Sequence, residues 1–559
     1  MDGIKIPIGR SGFADIRRNG YYYIDKTELI RELLRMDGRQ VTLITRPRRF
    51  GKTLSMSMLS EFFDIRKENK ELFSGLSIIE DNELCKSWMN QYPTLFLSFK
   101  NVDGLNFDKA YEKLTVTLSA LYREHLYLLK SDNLDPFSRE IFCQVASQKA
   151  TQAIMEDSLL NLTRIMQAYY GKTVILLIDE YDVPLAKANE HGYYREMLDA
   201  IKGIMQVLKD NNALKFAVVT GCLKIAKESV FTGTNNFVSD TISDTRLNEY
   251  FGFTQKEVDK LLEDTKLTDY RAVFKNWYDG YHFGKFDIYC PWDVMNHVEQ
   301  LMLNPEAQPK GYWKNSSDNG IIREFIDFAG ESITKKLEIL LSGGYIIQKV
   351  EENLTYNELL DSEENLWNVL YLTGYLTRVR DEKLKNPLEG EIALCIPNRE
   401  IKEIFETTIR KWFQESTQKW DRKVLFRAIW NEDDKIVTKE MTKLLRKTIS
   451  YHDYREDYYH AFLAGIFAGA GYVVESNKEH GEGRSDILVQ NYSEDCAAIF
   501  EIKYAKSQDG LSSACKAALE QIDDRNYGAE LQDDYEKIIY YGVSFYKKRC
   551  LVECKRQKK

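Results

Sequence analysis

The segment Val41-Thr-Leu-Ile-Thr-Arg-Pro-Arg-Arg-Phe-Gly-Lys-Thr53 constrains the fold more than any other stretch of the chain. An apolar, β-branched run stops at a basic turn, and Gly51-Lys52-Thr53 opens a helix-like stretch. Strand, glycine turn and helix N-terminus in that order build an anion cradle. Backbone N–H groups and the helix dipole face the phosphates, a lysine reaches the terminal ones and a hydroxyl holds Mg²⁺. Lys52 and Thr53 fit those two roles and Gly51 the turn, while Arg48 and Arg49 bring charge to where a triphosphate lies. The usual pattern begins with a glycine at the position of Arg46, and Pro47 then fixes φ and removes a donor. Gly-Lys-Thr triplets also open helices that bind nothing, so the expectation leans on what lies downstream.

Downstream lies Thr173-Val-Ile-Leu-Leu-Ile-Asp-Glu-Tyr-Asp182. A continuous apolar run of this length reads as a strand buried on both faces of a parallel sheet. Ligands of open α/β sheets bind at the C-terminal ends of strands, where Asp179 and Glu180 stand. Asp179 suits the Mg²⁺ shell and Glu180 the orientation of an attacking water. Asp182 either joins them or caps the following helix. Leu214 to Gly221 is a third strand, and Thr220 at its end either senses a phosphate or simply closes the strand. Leu95 to Phe99 is a fourth. Strands alternating with helical patterns from about residue 40 to 230 imply a parallel α/β sheet.

A second constellation lies in the last hundred residues. Asp457 to Phe467 reads as a helix and Gly471 to Ser476 as a strand. Arg484 to Gln490 and Ala497 to Lys503 read as two further strands. Residues two apart on a strand share a face, so Glu501 and Lys503 point the same way and Asp486 on the neighbouring strand reaches the same spot. Two carboxylates that hold a divalent metal, with a lysine to position water or stabilise charge, form a phosphodiesterase site. Glu-x-Lys alone usually means an ion pair; the added Asp486 makes the pattern more specific.

The region from about 250 to 450 is less legible. Thr254 and Glu257 form a capping box at a helix start. Trp277-Tyr-Asp-Gly-Tyr-His-Phe-Gly284 is an aromatic, glycine-punctuated turn read as a core staple rather than a base-stacking platform. Helical patterns cover Ile321 to Gly330, Thr334 to Ser342, Glu364 to Tyr371 and Asn398 to Gln414, suggesting a helical lid and connector.

Composition sets the outer limits. The 559 residues suffice for three to four domains, and 43% hydrophobic with 29% charged residues describes a globular chain. No run approaches the ~20 apolar residues that span a bilayer, and the N-terminus lacks a signal-peptide pattern. We therefore expect a cytoplasmic protein without membrane contact. Nine scattered cysteines and seven histidines make no disulfide framework or metal cluster. A net charge of −9 argues against a protein that coats nucleic acid, though not against a local basic groove. Lys547 to Lys559 is basic and reads as a solvated end.

Several motifs occur in a fixed order: Ile8-Gly-Arg-Ser-Gly-Phe13, Tyr23-Ile-Asp-Lys-Thr27, the loop above, Leu177-Ile-Asp-Glu-Tyr-Asp182, Thr220-Gly221, Ile225-Ala-Lys-Glu-Ser229, Tyr250-Phe-Gly-Phe-Thr254 and Trp277 to Tyr281. The chain resembles the bacterial AAA-ATPase-like family whose members end in a domain of the PD-(D/E)XK nuclease superfamily. In that family the arginine-rich loop replaces the first glycine, and relatives often carry arginine where this chain has Lys224. The resemblance implies a P-loop NTPase-type sheet over 1–245, a helical lid over 246–450 and a nuclease-like α/β core over 451–559. It implies ATP and Mg²⁺ bound by Arg48, Arg49, Gly51, Lys52, Thr53, Asp179 and Thr220, with Glu180 catalytic. It assigns nuclease catalysis to Asp486, Glu501 and Lys503, with Thr53, Asp179, Asp486 and Glu501 as metal ligands. Glu456, Gln521, Arg484 and Ser476 to Glu479 also follow the nuclease pattern. The implied partner is nucleic acid, DNA in the first instance. A homo-oligomer would let a neighbour supply an arginine, Arg246 being one candidate. The implied function is an ATPase coupled to a metal-dependent nuclease, with defence or mobile-element maintenance fitting by analogy. The alternative is a nucleotide-dependent switch whose nuclease-like domain binds without cutting.

Overall fold

The computed structural model describes residues 3–35, 39–132, 134–224, 237–313, 331–351, 358, 362–380, 390–418, 423–447, 473–480, 483–492, 495–525, 531–532, 534–546 and 549–555. The chain forms two compact units: Met1–Ile321 with Tyr345–Ile404, and Ile322–Gly344 with Phe405–Lys559.

The first unit is built on β1 (Val41–Thr45), β2 (Thr94–Ser98), β3 (Val174–Asp179), β4 (Leu214–Gly221) and β5 (Phe237–Asp240). Their order is β2-β3-β4-β1-β5, and every neighbouring pair is parallel. The uninterrupted apolar runs follow from burial on both faces. Val174, Leu176 and Ile178 enter one core with the helices Phe107–Glu124 and Tyr194–Met205. Ile175 and Leu177 enter the opposite core with the helix Lys52–Phe63. From β1 the chain crosses to the edge strand β2, steps back through β3 and β4, and places β5 beyond β1. The order therefore reverses at β1, and the crevice outside the C-terminal ends there is where a ligand fits. β5 is too short for its own sequence signal.

Sequence periodicity suggests helices in the middle region, and the structure adds two small antiparallel sheets. One joins β6 (Phe253–Thr254), β7 (Tyr281–Phe283) and β8 (Phe286–Tyr289) in the order β6-β8-β7. The other joins β9 (Ile346–Lys349), β10 (Thr377–Arg378) and β11 (Glu391–Cys395) in the order β10-β11-β9. Strands of two to five residues leave no readable alternation. The helices Glu331–Leu341, Glu363–Leu372 and Arg399–Gln418 match the periodic segments, whereas residues 321–330 lie outside the described residues. The capping box forms: the Thr254 amide donates to Glu257 at 2.7 Å. Trp277, Tyr278 and Tyr281 are buried, as a core staple requires.

The second unit carries β12 (Val473–His480), β13 (Gly483–Asn491), β14 (Cys496–Tyr504), β15 (Lys537–Tyr546) and β16 (Arg549–Lys555) in sequential order. Only β14 and β15 are parallel, and the helix Leu511–Asp524 makes their crossover. Odd residues of β14 face that helix, with Ala497 and Ile499 packing on Ile522. Even residues such as Ala498 and Phe500 pack with Ile429 and Met441 on the other side.

The basic end was expected to be solvated, yet Arg549–Lys555 is a strand of this sheet. Alternation decides it: Cys550 and Val552 point into the core, while Arg549, Leu551 and Glu553 are more exposed. Its outer edge is sealed by side chains. The Thr438 hydroxyl accepts from the Val552 amide at 2.9 Å and lies 3.2 Å from its carbonyl, and Thr442 one turn later does the same for Cys550.

Candidate functional site

At the end of β1 the Arg46 amide donates to the Gly221 carbonyl at 3.1 Å, so the loop starts against the end of β4. The Arg46 side chain then turns inward and is fully buried. Its guanidinium donates to the carbonyls of Thr45 (2.7 Å), Asp240 (2.8 Å) and Arg246 (3.3 Å) and lies 5.3 Å from the Phe251 ring. Burial lowers its pKa to about 10, opposed by Asp240. Arg46 is thus a structural post where the usual loop has glycine. Arg246, a candidate for donation to a neighbour, pairs with Asp240 of its own chain.

The rest of the loop is held by the middle region. Arg49 has φ 74° and its guanidinium lies 4.3 Å over the Trp292 ring. Phe50 packs against Tyr281 and Phe283 at centroid distances of 5.0 and 5.1 Å. Gly51 precedes the helix with φ 85°, a conformation glycine adopts without penalty. Lys52 opens the helix and donates to the Arg46 and Pro47 carbonyls at 2.8 and 2.9 Å.

Asp179 ties β3 to β4 and to the helix Lys52–Phe63. One oxygen accepts from the Thr53 hydroxyl at 2.9 Å and the other from the Thr220 hydroxyl at 2.6 Å. The register explains this: Ser98 lies beside Asp179 and Ile178 beside Val219, so the strands end level. Glu180 follows with φ 54°, a left-handed conformation uncommon for non-glycine residues and concentrated at functional sites. Burial raises its pKa, helped by Asp179 and opposed by Lys52. Asp182 makes no side-chain cap to the helix Val183–His191; it accepts from the Cys222 and Leu223 amides, each at 2.9 Å.

These elements surround a cavity of about 480 Å³. Arg48, Arg49, Gly51, Lys52, Thr53 and Glu180 line one end, while Asp179 and Thr220 are buried behind Thr53. Lys100 and Lys187 add positive charge, and no local pattern in the sequence singled them out. Ile8, Tyr22, Tyr23, Phe253, Trp292 and Met295 add an apolar and aromatic wall, Trp292 lying beneath Arg49. Two of the ordered sequence motifs, at 8–13 and 23–27, supply part of that wall.

The second unit places Asp486, Glu501 and Lys503 on the sheet face covered by the helix Leu511–Asp524, which also carries Gln521. Ile487 pairs with Phe500, which sets Asp486 beside Glu501. One Asp486 oxygen accepts from the Ile502 amide at 2.7 Å, and the Lys503 ammonium lies 3.2 Å from Glu501 Oε1. Glu501 Oε2 is buried and has no hydrogen-bond partner among the described residues. Burial pushes the Glu501 carboxyl up to about 7, with Asp486 adding to the rise and Lys503 opposing it. Such an oxygen beside a second carboxylate fits a divalent cation. Among the described residues no third His, Cys, Asp or Glu joins the pair, so water and phosphate oxygens would complete the shell. Arg484 lies on β13; Glu456 lies outside the described residues.

Comparison with known proteins agrees with this division. Residues 7–231 match the family described as "Predicted AAA-ATPase". Residues 454–555 match the PD-(D/E)XK nuclease superfamily. A protein of Azotobacter chroococcum mcd 1, described as "Uncharacterized protein in vnfD 5'region", is 26% identical over 566 aligned residues, 98% of this chain and 97% of that protein. The likeness therefore includes the middle region that neither family covers. The chain joins an AAA-ATPase-type domain to a PD-(D/E)XK nuclease superfamily domain. Among the described residues no helix is long and apolar enough to cross a membrane.

Proposed function

We propose that this AAA-ATPase and PD-(D/E)XK pairing works as an ATP-hydrolysing protein that controls a metal-dependent nuclease acting on DNA. The observation that carries the reading is the Asp179 carboxylate bonded on its two oxygens by Thr53 and Thr220, directly behind a cavity floored by Lys52. That arrangement suits a Mg²⁺–triphosphate, with Thr53 and Asp179 in the metal shell. Lys52 exchanges the Arg46 and Pro47 carbonyls for phosphate oxygens, and Arg48 adds charge at the same end. Glu180 orients the attacking water. Tyr22, Phe253 and Trp292 wall the space for the nucleoside.

In the second unit Asp486 and Glu501 would hold a divalent ion, which when bound polarises a phosphodiester and makes water a better nucleophile. Lys503 contributes positive charge where charge develops on the phosphate. The test is cleavage of linear, circular and single-stranded DNA, with RNA alongside. Mg²⁺ or Mn²⁺ is supplied with and without ATP, and wild type is compared with Lys52→Ala and Lys503→Ala. Cleavage that Lys503→Ala abolishes and ATP or Lys52→Ala alters is the expected result. ATP hydrolysis without cleavage under every condition would replace this reading with a nucleotide-dependent switch that binds nucleic acid or a partner without cutting.

A further inference from the structure

The exit of β3 grips the exit of β4 at more points than a parallel pair provides. The Tyr181 amide donates to the Thr220 carbonyl at 3.1 Å, and the Tyr181 hydroxyl donates to the Leu223 carbonyl at 2.7 Å. Asp182 takes both the Cys222 and the Leu223 amides at 2.9 Å. Gly221 makes the approach possible: a Cβ there would lie 2.6 Å from the Tyr181 ring and 2.8 Å from an Asp182 oxygen. The gripped segment reaches the phosphate end of the cavity. Cys222 lines it, with Sγ 3.5 Å from the Lys52 ammonium. Tyr181 and Asp182 are both buried. Burying a carboxylate is costly, and two backbone donors offset part of that cost.

We propose that Tyr181 and Asp182 are positioning residues that clamp the Gly221–Leu223 segment. The clamp fixes the spacing of Thr220 and Lys52 relative to Asp179 and Glu180 for hydrolysis. This rests on the nucleotide reading above. Asp182 stands at the start of the helix Val183–His191, yet its carboxylate binds the β4 exit instead of capping that helix. The clamp makes the acidic strand and its neighbour one piece, so loosening it misplaces reacting groups by fractions of an ångström while the bulk of the nucleotide contacts survive.

The test uses the full chain as wild type, Asp182→Asn, the milder Tyr181→Phe, and Lys52→Ala as control. It reads ATP turnover, nucleotide affinity, and the rate at which N-ethylmaleimide labels Cys222, followed by mass spectrometry. Asp182→Asn is expected to lower kcat by about 30-fold with affinity kept within about 3-fold, because misplacement penalises the transition state more than binding. Cys222 labelling should speed up by about 10-fold as the segment opens, a change of protection that follows local opening. Tyr181→Phe should move both readouts the same way by about 3- to 5-fold, the loss of one hydrogen bond. Wild-type kcat and labelling in Asp182→Asn, or affinity falling in step with kcat, would overturn the proposal. Wild type that neither binds nor hydrolyses ATP would instead sink the nucleotide reading. The labelling rates alone then decide the clamp, with equal rates removing it and faster labelling in both variants upholding it.

Discussion

The two carboxylate centres are built by opposite means. Asp179 sits at the end of a parallel strand and is satisfied on its two oxygens by hydroxyls from residues 126 and 41 positions away in sequence. Glu501 sits in an antiparallel ladder beside Asp486, 15 residues earlier, and keeps one buried oxygen without a partner among the described residues. The first is a completed network that holds its shape by itself. Among the described residues the second sets two carboxylates against one lysine, which leaves room for a cation in the proposed reading. A completed network resists mutation through stability, whereas an unfinished one answers to pH and cations.

That contrast is breakable, first through Lys503→Ala. If the nuclease-like centre needs that ammonium, metal-dependent cleavage falls by about 10²- to 10³-fold, the range for removing one stabilising donor, while ATP turnover stays near wild type. Equal loss of both activities would erase the distinction between the centres.

The next effect is on stability against pH. Glu501 has a folded-state pKa of about 7 against an ordinary 4.5. The folded chain holds a proton that the unfolded chain has released, so this group's contribution falls as pH rises from about 4.5 to about 7 and the penalty is full above that. In the proposed reading a divalent ion would replace the proton. Mn²⁺ at a hundredfold excess over its pH 8 Kd should therefore stabilise the fold at pH 8 by about 2.7 kcal/mol, and raise Tm less at pH 6. Glu501→Gln should remove this group's share of the pH slope together with the Mn²⁺ effect, beside the share that Asp240 and Asp293 contribute in the same range; a slope that the substitution leaves unchanged places the titration elsewhere.

Thr220→Val probes the completed network. It strips a donor from a buried carboxylate oxygen, and denaturant unfolding should show a loss of about 2 kcal/mol. A loss under about 0.5 kcal/mol would mean that Asp179 is not held by this bond. Thr438→Val is the smallest. It leaves the Val552 amide and carbonyl on the sealed edge to find water, and should cost about 1 kcal/mol with no change in either activity.

Sequence legibility follows the same division. β1, β3 and β4 announce themselves because strands buried on both faces are unbroken apolar runs. The Asp486, Glu501 and Lys503 grouping was readable from the two-residue period of neighbouring strands. β16 was hidden because the lysines and arginines in and around it outweighed the alternation of Cys550 and Val552. The role of Arg46 was not readable at all, since its partners lie at 240 and 246 and only the tertiary fold brings them near. Asp182 could be read as a partner of the acidic pair or as a cap, since helix starts favour aspartate, and long-range amides took its carboxylate instead of the helix. Lys100 and Lys187 join the cavity through loop and helix paths with no local pattern.

The anchoring of the basic loop has a kinetic consequence. Arg46 is fastened beneath it, Pro47 abuts Gly374, Arg49 lies on Trp292 and Phe50 is wedged between Tyr281 and Phe283. A loop moulded from below and from the side has little entropy left to lose when an anion arrives. Encounter then requires only that Lys52 leave two carbonyls, a side-chain rotation without backbone movement. Arrival should be fast and nearly the same for di- and triphosphates, and the lifetime of the complex, rather than the rate of capture, should tell one from the other.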